Sequence, residues 1–300
     1  MNILMTGGTG LIGQAFIRQF NDNQFTVLTR SITKARAILP ASVKLIDSLV
    51  TLPNLDAFDA VINLAGEPII GRRWCEQQKQ VICQSRWHVT HQLVELFKLS
   101  HIPPEVFLSA SAIGAYGNRG KETLTESSSV QISDFPAKVC IEWENIAKQA
   151  DPYTRVILLR TGIVLDPRGG ALAKMLLPFK WGLGGRIGQG QQYMSWIHYQ
   201  DHISAMRYLL TKKRIDGVIN LVAPECQTNC VFTQTLAQVL NRPAILPVPK
   251  VILQWAMGES ACLLLDSQKV LPQKLLHSEF CFAFSNLKSA LTNLLKHTLN

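Results

Sequence analysis

Charge is scarce in this 300-residue sequence. Asp, Glu, Lys and Arg together make up 17%, and acids are the scarcer sign, 21 against 30 bases. With 47% of residues hydrophobic, that scarcity excludes a disordered chain and fits a globular one with a sizeable core. Long apolar runs are missing too: none approaches the ~18–20 residues a membrane helix needs, so no membrane partner is expected. The N-terminal apolar stretch stops at once in glycines, unlike a signal peptide, and the expected compartment is the cytoplasm. The seven cysteines (75, 83, 140, 226, 230, 262 and 281) are odd in number and lack paired metal-ligand spacing. Reduced thiols are therefore expected, with no disulfide framework and no metal site. The surplus of bases, +9 in all, is scattered rather than gathered into a stripe. No nucleic-acid partner is expected, and an anionic cofactor or substrate accounts for the sign.

What is present begins with MNILMTGGTGLIG. Asn2 to Met5 is a short apolar run that reads as a buried strand, and Gln14 to Phe20 reads as helix. Between them, Gly8, Gly10 and Gly13 fit G-x-G-x-x-G, and Gly7, Gly10 and Gly13 fit the related G-x-x-G-x-x-G. One glycine permits the tight turn, the next lets backbone approach a pyrophosphate, and the last lets helix pack on strand. The stretch Thr6, Gly7, Gly8, Thr9, Gly10, Leu11, Ile12 and Gly13 is thus the expected pyrophosphate cradle, at the positive end of a helix.

A local absence then selects the cofactor. An NAD site places Asp or Glu about 20 residues past the glycine loop, to accept hydrogen bonds from the ribose. No acid occurs from Asn23 to Ile46, whereas Arg30, Lys34, Arg36 and Lys44 do. Arginine's planar fork suits a 2′-phosphate, so NADP(H) is expected ahead of NAD, with Thr29, Arg30 and Ser31 closing the second strand around it. Lys44 reads as a solvated base.

Alternating strand and helix patterns continue to about Leu165. Strands are expected at Phe25–Leu28, Val43–Ile46, Ala60–Leu64, Val106–Leu108 and Arg155–Arg160, with helices at about 74–99 and 137–149. That order predicts an α/β fold, a Rossmann-type doubly wound parallel sheet over residues 1–165. From Gly169 the alternation turns irregular, so residues 166–300 are expected to form a smaller C-terminal α/β lobe, with 217–222 returning to the main sheet.

Ligands in this architecture bind at the carboxyl ends of strands. Leu64, Ala65 and Gly66 form a small-residue turn there, beside Ser109 and Gly162, and all five are candidate cofactor contacts. Glu67 opens the next loop. On the long helix, Arg86 falls within the apolar stripe of Ile82, Val89, Leu93 and Leu96. A charge there needs a partner, either a structural carboxylate or an anionic ligand. Glu67, Arg73, Arg86 and Trp196 are the candidate substrate contacts, Trp196 either stacking on a ring or closing the pocket.

Glycine loop, NLAG turn and Ser-rich fifth strand together resemble the extended short-chain dehydrogenase/reductase superfamily. The sequence more closely resembles an atypical branch, the YfcH-like "epimerase family" proteins. Carrying that resemblance are INLAGEPI (62–69), RRW (72–74), SR (85–86), SASAIGAYG (109–117), VCIEWE (139–144), RTGIVL (160–165), SWIH (195–198) with Asp201, NLVAP (220–224) and LPVPKVILQWAMGE (246–259). It covers essentially the whole chain. It implies a family-specific C-terminal part over about 250–297, with Glu279-Phe280 standing where the branch has Gly-Phe.

The resemblance also marks a gap. The superfamily's Tyr-x-x-x-Lys pair, aligned on Glu144, falls on Pro136 and Cys140, which can neither move a proton nor hold a ribose. Ser111 matches the superfamily's catalytic Ser/Thr. Tyr116 and His198 are the remaining candidates for proton transfer, each with a structural alternative: a packed aromatic for Tyr116, a helix-start partner of Asp201 for His198. The implied function is an NADP(H)-dependent oxidoreductase or epimerase on an unidentified small carbonyl or hydroxyl compound. The alternative is a non-catalytic NADP(H)-binding sensor or scaffold, since some relatives are linked to cell division. A homodimer stays open.

Overall fold

Five short strands at the start of the chain are apolar on both faces, as a sheet covered by helices on each side requires. The computed structural model describes residues 1–296 and shows that arrangement. β1 (Asn2–Thr6), β2 (Gln24–Leu28), β3 (Lys44–Ile46), β4 (Ala60–Asn63) and β5 (Val106–Ala112) come first. β6 (Thr123–Leu124), β7 (Arg155–Thr161), β8 (Ile163–Leu165), β9 (Tyr193–Met194) and β10 (Trp196–His198) follow. β11 (Gly217–Leu221), β12 (Gln227–Thr228) and β13 (Lys269–Val270) complete the set. Seven of these build one parallel sheet in the order β11-β7-β5-β4-β1-β2-β3, a Rossmann-type topology.

Strand pleating divides the core into two layers. Ile3, Met5, Ile62, Leu108, Ile157 and Leu159 point to one face, where α1 (Leu11–Gln19), α2 (Ile32–Ile38) and part of α6 (Tyr199–Thr211) cover them. Leu4, Val61, Phe107, Val156 and Leu158 point to the other, under α3 (Glu76–Leu99) and α4 (Phe135–Lys148). α4 starts two residues before its apolar pattern because Asp134 caps it. The Asp134 carboxylate accepts the Ala137 N–H at 2.8 Å, and Pro136 sits in the first turn where no N–H is needed. β5 runs four residues past the expected Leu108, since its Ser–Ala steps pair in register with β7, Ser111 opposite Arg160.

A second core lies beyond the sheet. α5 (Gly170–Lys180), α6 (Tyr199–Thr211), α7 (Asn229–Leu240), α8 (Lys250–Met257), α9 (Cys262–Leu265), α10 (Gln273–Leu276) and α11 (Leu287–Leu295) belong to the second half of the chain. Leu172, Leu176 and Phe179 of α5 pack on Phe232 and Leu236 of α7 and on Leu291 and Leu294 of α11. Three two-stranded ladders follow, and the first and last of them tie residues beyond 165 to those before. β10 pairs with β8, β12 with β9, and β13 with β6, so the C-terminal segment is stitched to the loop after β5. Residues 297–300, the end of the expected lobe and of its family-specific part, lie outside the described residues. Among the described residues no helix is long and apolar enough to cross a membrane.

Candidate functional site

The carboxyl ends of β1, β5 and β7 open into one cleft of about 540 Å³ between the sheet and the second core. Gly7, with φ of 69°, makes the bend after β1, and a Cβ there would lie 2.5 Å from the Leu64 carbonyl. A Cβ on Gly13 would meet the Gly7 oxygen at 2.6 Å, and one on Gly8 would meet Val27 at 2.8 Å. Gly10 is the N-cap of α1, and no side chain caps the helix, so its first-turn N–H groups are left for a ligand. Gly7, Gly10, Leu11, Ile12 and Gly13 line the cleft, as do Leu64, Ser111 and Gly162. Gly162 is required by crowding: a Cβ would stand 2.5 Å from the Ser195 carbonyl oxygen.

Ser111 is held by a buried ion pair. Its Oγ donates to Glu144 Oε1 at 2.7 Å, while Arg160 donates from Nε and Nη2 to the same carboxylate at 2.8 and 2.7 Å. Glu144 and Arg160 are 2% and 3% exposed, so water does not screen the pair. Burial alone would lower the Arg160 pKa, but Glu144's hydrogen bonds and charge outweigh it and raise it. While its hydrogen is given to Glu144, Ser111 offers the cleft a lone pair polarised by a carboxylate; turned about the Cβ–Oγ bond, the same hydroxyl donates to a carbonyl oxygen instead.

A second buried network lies beneath. Thr6 Oγ1 donates to Asn63 Oδ1 at 2.6 Å and accepts the Ala65 N–H at 3.1 Å. Asn63 Nδ2 donates to Thr90, which also accepts from Trp143 Nε1, both at 2.8 Å. Thr6 and Ser109 are 0% exposed, so their side chains lock the strand ends rather than face a cofactor. Thr29, Arg30 and Ser31 close β2 outside the enclosed part of the cleft. Thr29 is buried and bonded to Ser31, Ser31 caps α2, and the Arg30 side chain is 92% exposed, 3.7 Å from Glu67. Thr9 holds Gln14 through its carbonyl. Gly66 packs against Arg86.

Four expected roles are corrected. Tyr116 is buried away from the cleft, its hydroxyl 2.9 Å from the Thr125 carbonyl and 2.8 Å from Asn220 Oδ1, under the Arg160 guanidinium. Burial raises its pKa, which makes it still less able to give up a proton. His198 is the N-cap of α6. Its Nδ1 accepts the Gln200 N–H at 3.1 Å, its ring stacks 3.9 Å from that of Phe284, and burial lowers its pKa to about 4. Asp201 instead holds the backbone N–H groups of Ala283 and Phe284. Trp196 is 0% exposed in the second core and does not line the cleft. Arg73 is exposed and lies against Gly258, outside the cleft. Glu67, half-buried, uses its backbone to bond Ser85 and Arg86, and its carboxylate faces Arg30.

Other polar groups in the cleft escaped the sequence reading. His202 lies one turn into α6, its Nε2 3.1 Å from Thr161 Oγ1, and burial lowers its pKa to about 4. Asp266 shares the cleft with Asp134, and burial, then that neighbour's charge, pushes its pKa up to about 6. No local pattern marks either His202 or Asp266, and both enter the site only through the fold. α4 presents Pro136, Val139, Cys140 and Trp143 to the cleft, and burial pushes the Cys140 thiol up to about 11.

A parallel sheet in this order, with a glycine-lined turn opening on a closed cleft, defines a Rossmann-type nucleotide-binding protein. Residues 3–221 match the NAD dependent epimerase/dehydratase family, and residues 248–294 match a domain of unknown function, DUF1731. The chain belongs to the NAD dependent epimerase/dehydratase family and carries that C-terminal domain. An epimerase family protein of Staphylococcus haemolyticus is 37% identical over 297 residues, 97% of this chain and 98% of its own. One from Staphylococcus aureus is 36% identical over 296 residues, covering 98% of each. The crystal structure of a human epimerase family protein with NADPH superposes with a TM-score of 0.91 at 32% identity, over 99% of both chains.

Proposed function

We propose that this protein binds NADP(H) along the glycine turn and uses it to reduce, oxidise or epimerise a small carbonyl or hydroxyl compound held at Ser111. The observation that carries this reading is that the glycine turn and Ser111 line one continuous cleft. The residues fit a dinucleotide: Gly7, Gly10 and Gly13 leave the pyrophosphate path free of side chains, and uncapped N–H groups of α1 favour an anion there. The human relative's NADPH supports the same cofactor here. Arg30, exposed where an acid would serve NAD, supplies the 2′-phosphate contact.

Bound there, NADPH would supply the hydride for a carbonyl carbon, and the oxygen would take its proton from solvent. Ser111 Oγ accepts a hydrogen bond from a substrate hydroxyl, or turns its own hydrogen from Glu144 to a substrate carbonyl, and so sets the orientation. The apolar face of α4 and the buried end of β7 exclude bulk water. One observation favours a second reading, a cofactor sensor without turnover. Tyr116 and His198 lie outside the cleft, and Pro136 and Cys140 stand where a Tyr–Lys pair would work.

Purified protein with NADPH, screened against carbonyl compounds at the nicotinamide absorbance, separates the two. Oxidation lost in Ser111→Ala supports the enzyme; tight NADPH binding with no oxidation across the panel supports the sensor. Arg30→Asp should weaken NADPH by about 10- to 100-fold while sparing NADH, the range expected for charge-assisted bonds. Equal losses for both would sink the 2′-phosphate assignment.

A further inference from the structure

One arginine, Arg86, stands in the wall of this cleft, and a second, Arg160, is buried behind it; only the second is neutralised. Arg160 meets the Glu144 carboxylate through two hydrogen bonds. Arg86, on α3, meets only neutral acceptors. Its Nη1 donates to the Ile82 carbonyl at 2.9 Å and lies 3.4 Å from Ser85 Oγ, and its Nη2 donates to the Glu67 carbonyl at 3.0 Å. Among the described residues no carboxylate comes within ion-pair distance of it. Its Nε–H and the second Nη2 hydrogen have no protein partner there. Burial lowers its pKa, as for a charge with no counter-charge beside it.

The guanidinium is nonetheless fixed. One side is covered by the Trp143 ring, centred 5.4 Å away, and Gly66 packs so closely that a Cβ would fall 2.9 Å from Cζ. A half-buried, immobilised cation in a cleft wall, with no carboxylate in ion-pair distance, favours an anion arriving there. A lone guanidinium with a free two-hydrogen edge matches a carboxylate better than a polyphosphate, which would call for several cations. The neighbouring wall is apolar, built from Ile69, Ile70, Val139 and Leu263. Ser111 lines the same cleft, and the residues that hold the two groups, Trp143 and Glu144, are neighbours on α4. Arg86 lies over the Trp143 ring and Ser111 is bound to Glu144, one residue along the same helix.

We infer that Arg86 reads the carboxylate of a small, mostly apolar oxo or hydroxy acid whose carbonyl or hydroxyl oxygen lies at Ser111. This rests on the cofactor-and-Ser111 reading above and narrows its substrate to a monoanion.

The test is calorimetric, on the full chain with and without saturating NADPH. The probes are 2-oxo acids of four to nine carbons, phenylpyruvate among them, each beside its neutral methyl ketone. At least one acid should bind about tenfold or more tightly than its ketone, the scale of a charge-assisted pair. Arg86→Gln should abolish that preference and leave NADPH affinity within about twofold, while Arg86→Lys, which keeps the charge but loses the fork, should retain only part of it. Acids and ketones binding alike, or no acid binding at all, overturns the inference. So does a tenfold loss of NADPH affinity in Arg86→Gln, which would give this arginine to the cofactor. An acid preference that survives without NADPH, in protein that binds no NADPH, would leave the anion site standing and remove the cofactor reading.

Discussion

Removing either half of the Glu144–Arg160 pair should be far more harmful than removing both. Glu144→Leu deletes the acceptor of three hydrogen bonds, from Arg160 Nε, Arg160 Nη2 and Ser111 Oγ, and leaves a guanidinium 3% exposed with no counter-charge. Arg160→Met leaves a carboxylate 2% exposed with Ser111 as its remaining side-chain donor, and also uncovers the Tyr116 ring 4.7 Å away. Stranding one member of a buried pair typically costs about 3–5 kcal/mol, whereas replacing both by apolar groups of similar volume is often close to neutral. The double variant should therefore recover most of the loss, with a coupling energy above about 2 kcal/mol. Midpoints of urea unfolding at constant slope measure all four corners of the cycle. Two small, additive losses of under about 1 kcal/mol would mean that water reaches the pair. The polarised state assigned to Ser111 would then lose its basis.

Acid should weaken the protein through its buried histidines. Both His198 and His202 fall from 6.5 to about 4 in the folded chain, so they stay neutral there while the unfolded chain takes up protons. Stability is complete above pH 6.5 and declines as pH drops toward 4, by up to about 1.4 kcal/mol per pH unit for each histidine. A His198→Phe variant should show a shallower decline than the parent in chemical unfolding between pH 7 and 4.5. Identical profiles would mean that burial does not lower the pKa of His198 in the fold. Gly13→Ala drives a Cβ to 2.6 Å from both the Gly7 oxygen and the Gly8 α-carbon, neither of which belongs to a flexible side chain. The turn must shift, so NADPH affinity should drop by roughly tenfold or more through loss of backbone contacts. Unchanged affinity by titration would show that the cofactor does not lie on that turn.

Much of the frame was legible because it is written locally. β1, the glycine bend and α1 follow from spacing within thirteen residues, and the sheet strands from short apolar runs separated by helical periods. The site was legible only in part. Glu144 and Arg160 are visible as charges inside VCIEWE and RTGIVL, a hint of burial, but their meeting depends on α4 crossing over β7. His198 stands at a helix start, where its ring can either cap or catalyse, and Phe284 from the far end of the chain decides for the cap. Tyr116 lies four residues past the end of β5. The 3-10 turn after the strand carries its ring under Arg160, a direction that no periodicity encodes. For Arg86 the pattern left a structural carboxylate and an anionic ligand open, and among the described residues it meets only neutral acceptors.

The pairing of Lys269–Val270 with Thr123–Leu124 makes the tail of this chain a piece of its ligand chamber. Cys262, Leu263, Asp266 and Gln268 all border the space, although they follow the matched dinucleotide region by some forty residues or more. Evolution could thus re-tailor what fits inside by editing that late segment, while the machinery at residues 6–13 goes untouched. Swapping tails between relatives would exchange preferences in the same way.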